Sequence, residues 1–301
     1  MNESEQERKK REREEDLARL RGLRPIDDDF MRCLFRDNIP LAQLVLRIIT
    51  GKEDLEVTRL ETQKDLKRLV GARSICLDAC ANDAEGKQYN LEVQRGDRGA
   101  GKRRARYHSS CMDIENLDAG QDFDELPETY TIFITENDVL GKGCAVYRID
   151  RVNTTTGEPF EDGSHILYVN GAYRDDSELG LLMHDFSCSN PDEMRLELMR
   201  DTARYYKETE EGVEYMCRAF EEVREEALER GRREGRLEGL REGHREGHRE
   251  GKTEGLREGR REERVEIIRT LMDTLKLTAA QAMDTMRIPE SEQPKYLAML
   301  Q

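Results

Sequence analysis

Between Ser74 and Arg95 the chain reads SICLDACANDAEGKQYNLEVQR, two strand-like runs joined by a turn whose chemistry fixes their register. Asp83 suits the first position of a type I turn, and Gly86 supplies the left-handed residue that closes a three-residue loop. A hairpin folded this way is symmetric about Glu85 and places Asp78 directly opposite Glu92. Period-two alternation puts Cys76, Asp78 and Cys80 with Asn90, Glu92 and Gln94 on one face, and Ile75, Leu77, Tyr89, Leu91 and Val93 on the other. The second face predicts a core; the first, turned from it, carries two facing carboxylates. Like charges directly opposite in a sheet repel. A hard divalent cation such as Mg²⁺ or Mn²⁺, which takes oxygen ligands and keeps waters, would relieve them. The spacing alone leaves a second reading open: two solvated acids on an exposed hairpin face.

Only part of the chain can be core, because 38% of its 301 residues are charged against 36% hydrophobic, and the charge gathers at the two ends. A net charge of −15 argues against a protein that coats nucleic acid by bulk electrostatics, so any contact with a polyanion needs a local patch. The stretch from Arg95 to Tyr107 is such a patch, with Arg95, Arg98, Lys102, Arg103, Arg104 and Arg106 against the single acid Asp97. It begins in a glycine-rich loop, Gly96 to Gly101, and runs into a helix expected to turn Tyr107, Cys111, Met112 and Ile114 inward. A solvated helix face is the plainer reading; the position just after the acidic pair favours phosphate contact. Seven cysteines without a Cys-x-x-Cys pair, and no signal peptide or apolar run of membrane-spanning length, predict a reduced, cytoplasmic protein.

Four regions follow from the pattern. Residues 1–24 alternate Glu with Lys and Arg and read as a charged helix or tail. Residues 25–220 carry two apolar helices broken near Asn38 to Pro40, the hairpin, strands at Thr129–Thr135, Gly143–Ile149 and Ile166–Asn170, and further helices, which predicts a mixed α/β sheet flanked by helices. In 221–262 a glycine recurs every fourth residue from Gly231 to Gly259, eight in all, in the pattern Arg-Glu-Gly-x. Glu–Arg pairs at i,i+3 support a helix there, while each glycine opposes it by roughly 1 kcal/mol. Four residues turn a helix by about 40° beyond a full turn, so the glycines spiral around it. A second copy of the chain can follow that spiral, giving a homo-oligomer through residues 231–262; a solvated tether is the alternative. Residues 263–301 form a small helical unit, with Thr278 and Gln281 as a capping box. A helix-turn-helix reader is disfavoured there by exposed residues of mixed charge.

The runs LDACANDAEGKQYNLEVQ, RRARYHSS, DELPETYTIFIT, YVNGAYRDD and LLMHDFSCSNPDEM together resemble the PD-(D/E)XK nuclease family transposases, also called Rpn recombination-promoting nucleases, over roughly residues 26–220. The resemblance implies a restriction-endonuclease-like sheet and a Mg²⁺-dependent (or Mn²⁺-dependent) DNA endonuclease acting in recombination or transposition. By matching position Asp78 and Glu92 are then the metal ligands, with Gln94 completing the catalytic set where the wider superfamily has lysine. Arg95, Lys102, Arg103, Arg104 and Arg106 become the DNA-binding residues, and Asp37 is a candidate third acid from the first helices. The competing expectation is an inactive nuclease fold that serves as an interaction or oligomerisation module.

Overall fold

The computed structural model describes residues 5–65, 76–95 and 97–300; Ser74 and Ile75 of the expected hairpin and Gly96 of the glycine-rich loop lie outside them. It separates into two compact units, Met1–Val223 and Arg224–Gln301. Among the described residues no helix is long and apolar enough to cross a membrane.

The first unit is built on a six-stranded mixed sheet, the architecture expected. The strands are β1 (Val57–Asp65), β2 (Cys76–Asp83), β3 (Gln88–Gln94), β4 (Thr129–Thr135), β5 (Val146–Ile149) and β6 (Ser164–Asn170), in the spatial order β1-β2-β3-β4-β6-β5. The segments β1, β2 and β3 run antiparallel, β3, β4 and β6 parallel, and β5 closes the far edge antiparallel to β6. Helices α1 (Glu5–Gly22), α2 (Asp28–Phe35), α3 (Ile39–Thr50), α5 (Glu178–Ser187) and α6 (Glu197–Glu208), with the start of α7 (Glu210–Leu275), contribute to the main core with Tyr89, Leu91, Val93, Ile132, Ile134 and Val169. The helix α4 (Lys102–Asn116) covers the other face, over Leu77, Cys80, Phe133 and Tyr168.

Local chemistry explains the boundaries. Asn38 caps α3 through the Leu41 N–H (3.2 Å), Pro40 stands in its first turn, and Gly51 ends it at φ +74°. The expected tail is a helix whose last residues are fastened: Leu20 and Leu23 are buried, Arg19 stacks on Phe220, and the Lys207 ammonium donates to the carbonyls of Arg21 and Leu23. The methionines Met194, Met199 and Met216 are core, as their flexible apolar chains suit.

Two expectations are corrected here. The carboxylate face of the hairpin is not turned to solvent, because α4 lies across it. Of the α4 residues expected inward, Met112 is buried and Cys111 half-buried, whereas Tyr107 and Ile114 are exposed; the buried stripe is Ala105, His108, Ser109 and Met112. That stripe has helical spacing but a half-polar composition, since what it covers is the polar row Asn90 and Glu92.

In the second unit the glycine repeat is helical throughout, inside α7, and a Cβ added at any glycine from Gly231 to Gly259 would meet nothing within 4 Å. The unit's small core joins Val265 and Ile268 of α7 to Ala282 and Met283 of α8 (Ala279–Thr285), to Ile288, and to Tyr296 of α9 (Gln293–Leu300). The capping box at Thr278 and Gln281 forms as expected.

Candidate active site

The hairpin turn sets the site's register. Asp83 N–H donates to the Lys87 carbonyl (3.0 Å), Gly86 adopts φ +85°, and the Asp83 carboxylate accepts from the N–H groups of Glu85 (3.0 Å) and Lys87 (2.8 Å). The pairs Asn82–Gln88, Ala81–Tyr89, Cys80–Asn90 and Ala79–Leu91 are those of a hairpin centred on Glu85.

Beyond Ala79 the two strands part. The next bond due to the Val93 N–H by the ladder's alternation is to Leu77; that N–H instead points to Asp78 Oδ2 at 3.4 Å. Side-chain alternation breaks at the same place. Leu77 packs with Cys80 and Met112 under α4 while Ala79 and Ala81 face the main core, so Leu77 lies on the opposite side from the one expected. Across from it on β1, between the pairs Thr62–Ala79 and Lys64–Leu77, Gln63 takes φ +55°. The splay brings Asp78 and Glu92 together: the Asp78 N–H lies 3.4 Å from Glu92 Oε1, with Glu92 fully buried and Asp78 9% exposed.

Around this pair stands a shell that spacing did not reveal. Asn90 Nδ2 donates to Glu92 Oε1 (3.1 Å), His108 Nδ1 lies 3.4 Å from the same oxygen, and Arg104 Nη2 lies 3.6 Å from Glu92 Oε2. Arg104 Nε also donates to His108 Nε2 (3.2 Å), which puts the hydrogen of a neutral imidazole on Nδ1, toward Glu92. From α2, Arg32 pairs with Asp28 (3.0 Å). Burial first, then the charges of Glu92 and Asp28, push the Asp78 carboxyl up to about 8. Burial likewise raises Asp28, with Arg32 opposing and Asp29 and Glu92 adding to the shift. Among the described residues, the buried side-chain polar atoms without a hydrogen bond are Glu92 Oε2, Asn90 Oδ1, His108 Nδ1 and Arg32 Nε, all at this centre. Buried side-chain polar groups elsewhere among the described residues are satisfied, so the unsatisfied ones are concentrated here.

The remaining expected residues fall at the rim. Gln94 is two residues past Glu92 on the same strand, half-buried, and its side chain runs against Gly99 of the glycine-rich loop, where a Cβ would clash with Gln94 Oε1. Lys102, Arg103 and Arg106 are exposed on α4, and Arg95 pairs with Asp27 (3.1 Å) and Glu136 (3.9 Å). Asp37 lies exposed beyond the C-terminal end of α2, at φ +54°, away from Asp28 at the helix's start. The acid that α2 brings toward the pair is Asp28. An open cleft of about 760 Å³ passes it, lined also by Asp27, Asp29, Arg24, Arg95 and Glu136.

Fold and site thus define an α/β protein with a buried, oxygen-rich anionic centre at the splayed end of its central hairpin. Residues 37–172 match the family described as PD-(D/E)XK nuclease family transposase. Comparison with curated proteins and with solved structures found no match.

Proposed function

We propose that the chain is a divalent-metal-dependent DNA endonuclease, hydrolysing phosphodiesters in recombination or transposition. The observation that supports this most is the set of unsatisfied buried atoms around Asp78 and Glu92, since a buried polar atom left without a hydrogen bond costs about 1–3 kcal/mol. Asp78 and Glu92 would hold Mg²⁺ or Mn²⁺, with Asp28 adding negative charge from α2. Among the described residues no three His, Cys, Asp or Glu side chains form a ready cage, and two carboxylates completed by water suit Mg²⁺. Bound there, such an ion supplies an acidified water and charge stabilisation at the phosphate. Asn90 holds the Glu92 carboxylate by a hydrogen bond, with His108 Nδ1 beside it. Arg104, 44% exposed at its side chain, can leave Glu92 for a phosphate oxygen, with Arg95, Lys102, Arg103 and Arg106 beside it. The Gln94 amide orients a water or a phosphate oxygen without itself acting as an acid. No disulfide joins any of the seven cysteines, which suits the reducing cytoplasm. Nicking of supercoiled plasmid in Mg²⁺ against EDTA tests the assignment; absence of cleavage with metal bound leaves the interaction-module reading.

The Gln94 position gives a finer test. Gln94→Lys adds an ammonium beside the reacting water, so cleavage is expected to persist or rise, with its pH optimum moved downward. Complete loss of cleavage with metal still bound would show a contact that only the amide makes.

The glycine repeat is assigned to self-association. Its glycines open onto free space and Leu237, Leu240 and Leu256 are each at least half exposed, so among the described residues no packing partner adds to the Glu–Arg pairs in a helix this rich in glycine. Light scattering is expected to give a dimer or larger for the whole chain, and a monomer once residues 231–301 are removed. A whole chain that is monomeric at about 50 μM would reduce the repeat to a spacer.

A further inference from the structure

The second unit holds a groove of about 860 Å³ between the end of α7 and α9, outside the segment that matches the family. Its α7 wall is Thr253, Leu256, Arg257, Arg260, Arg261 and Arg264, spaced i, i+3, i+4, i+7, i+8, i+11: one face of a helix. The repeat creates that face. Each four-residue step turns the pattern by about 40°, and in the tetrad from Gly259 both residues after the glycine are arginine, so Arg257, Arg260, Arg261 and Arg264 align while Glu258 and Glu262 fall outside the groove. From α9 come Lys295, Tyr296 and Met299. The lining therefore carries five cations and one carboxylate, Glu292, in a chain whose net charge is −15. Arg264 is held by the Tyr296 hydroxyl (3.1 Å) and by Glu292 (3.6 Å). No ion pair closes on Arg257, Arg260, Arg261 or Lys295 among the described residues.

We infer that this groove is a second DNA contact, which grips the phosphate backbone of the nuclease substrate without reading its sequence; it rests on DNA being that substrate. The helical rise from Arg257 to Arg264 is about 10 Å, and a strand carrying one charge per roughly 3.4 Å of axis offers about three phosphates over that length. Guanidinium forks match phosphate oxygens in pairs, and the stiff helix presents them at fixed spacing. The competing occupant is a second copy. Its repeat interleaves Arg or Lys with Glu at every tetrad, so it offers no purely acidic face to complement the groove; a nucleic-acid backbone does.

The test uses the full chain in EDTA, so that cleavage plays no part, with a labelled 30-bp duplex of arbitrary sequence and fluorescence anisotropy across a KCl series. Arg257→Gln, Arg260→Gln, Arg261→Gln and Lys295→Gln together, all at surface positions, are expected to lower the log Kd against log salt slope by about 3 and to weaken binding at low salt by tenfold or more. Slope and affinity equal to wild type overturn the inference, as does a wild type that binds no duplex. A variant that loses mass in sedimentation while keeping its salt slope overturns it in favour of a second copy in the groove. The nuclease assignment stands or falls separately, on Mg²⁺-dependent nicking by the wild type.

Discussion

Asp78→Ala and Glu92→Ala are each expected to lower Mg²⁺-dependent cleavage by about a thousandfold or more, the loss typical when a preorganised charge centre is removed from a hydrolytic site. The two variants differ in their effect on the protein. Asp78 sits at the splayed strand end, where its carboxylate satisfies one N–H, that of Val93. Glu92 is fully buried, and its removal strips a partner from Asn90 and a countercharge from Arg104. Glu92→Gln, which keeps the shape, therefore separates catalysis from packing: it should hold the wild-type melting temperature to within a few degrees and still fail to cleave. Equal cleavage by wild type and all three variants would contradict the site.

In metal-free buffer Asp78→Asn is expected to stabilise the protein at pH 8 and not at pH 4. The Asp78 carboxyl is pushed up to about 8 in the fold by burial and by the neighbouring Glu92 and Asp28 charges, against an ordinary aspartate near 4 in the unfolded chain. Between these values the folded protein keeps a proton that the unfolded chain releases. Stability supplied by that proton is full below about pH 4, declines as pH rises, and is gone above about pH 8. Asparagine keeps an oxygen for the Val93 N–H and carries no charge to lose. The expected gain at pH 8 is on the order of a few kcal/mol, or roughly 5–10 °C in melting temperature. Parallel melting profiles of the two proteins from pH 4 to pH 8 would show that Asp78 carries no such burden.

The sheet and the central pair were legible because they depend on local chemistry. A turn fixed by Asp83 and Gly86 sets the hairpin pairings from Asn82–Gln88 to Ala79–Leu91, and Thr129–Thr135 is a strand to the residue, its β-branched run lying fully within the sheet. The shell around the pair was not legible, for two reasons. His108 and Ser109 are polar residues on the buried stripe of α4, and a reading that sends apolar residues inward turns that helix the wrong way; the i, i+3, i+4, i+7 spacing of Ala105, His108, Ser109 and Met112 was the available signal. Asp28 lies in a different helix, joined to Asp78 only by the packing of α2 on β2 and β3, a tertiary fact that no local spacing encodes. The break in alternation at Leu77 has the same character, since it follows from the parting of β2 and β3 beyond Ala79.

Calorimetric titration of Mg²⁺ into the full chain at pH 7, in buffers of different ionisation enthalpy, tests the central claim most directly. A carboxyl raised to about 8 is largely protonated at pH 7, so binding at Asp78 and Glu92 must release about one proton per ion, and Asp78→Asn must abolish that release. One binding site with about one proton released, absent in Asp78→Asn and Glu92→Gln, is the predicted result. No binding by the wild type, or binding that both variants retain with the same proton count, would contradict it.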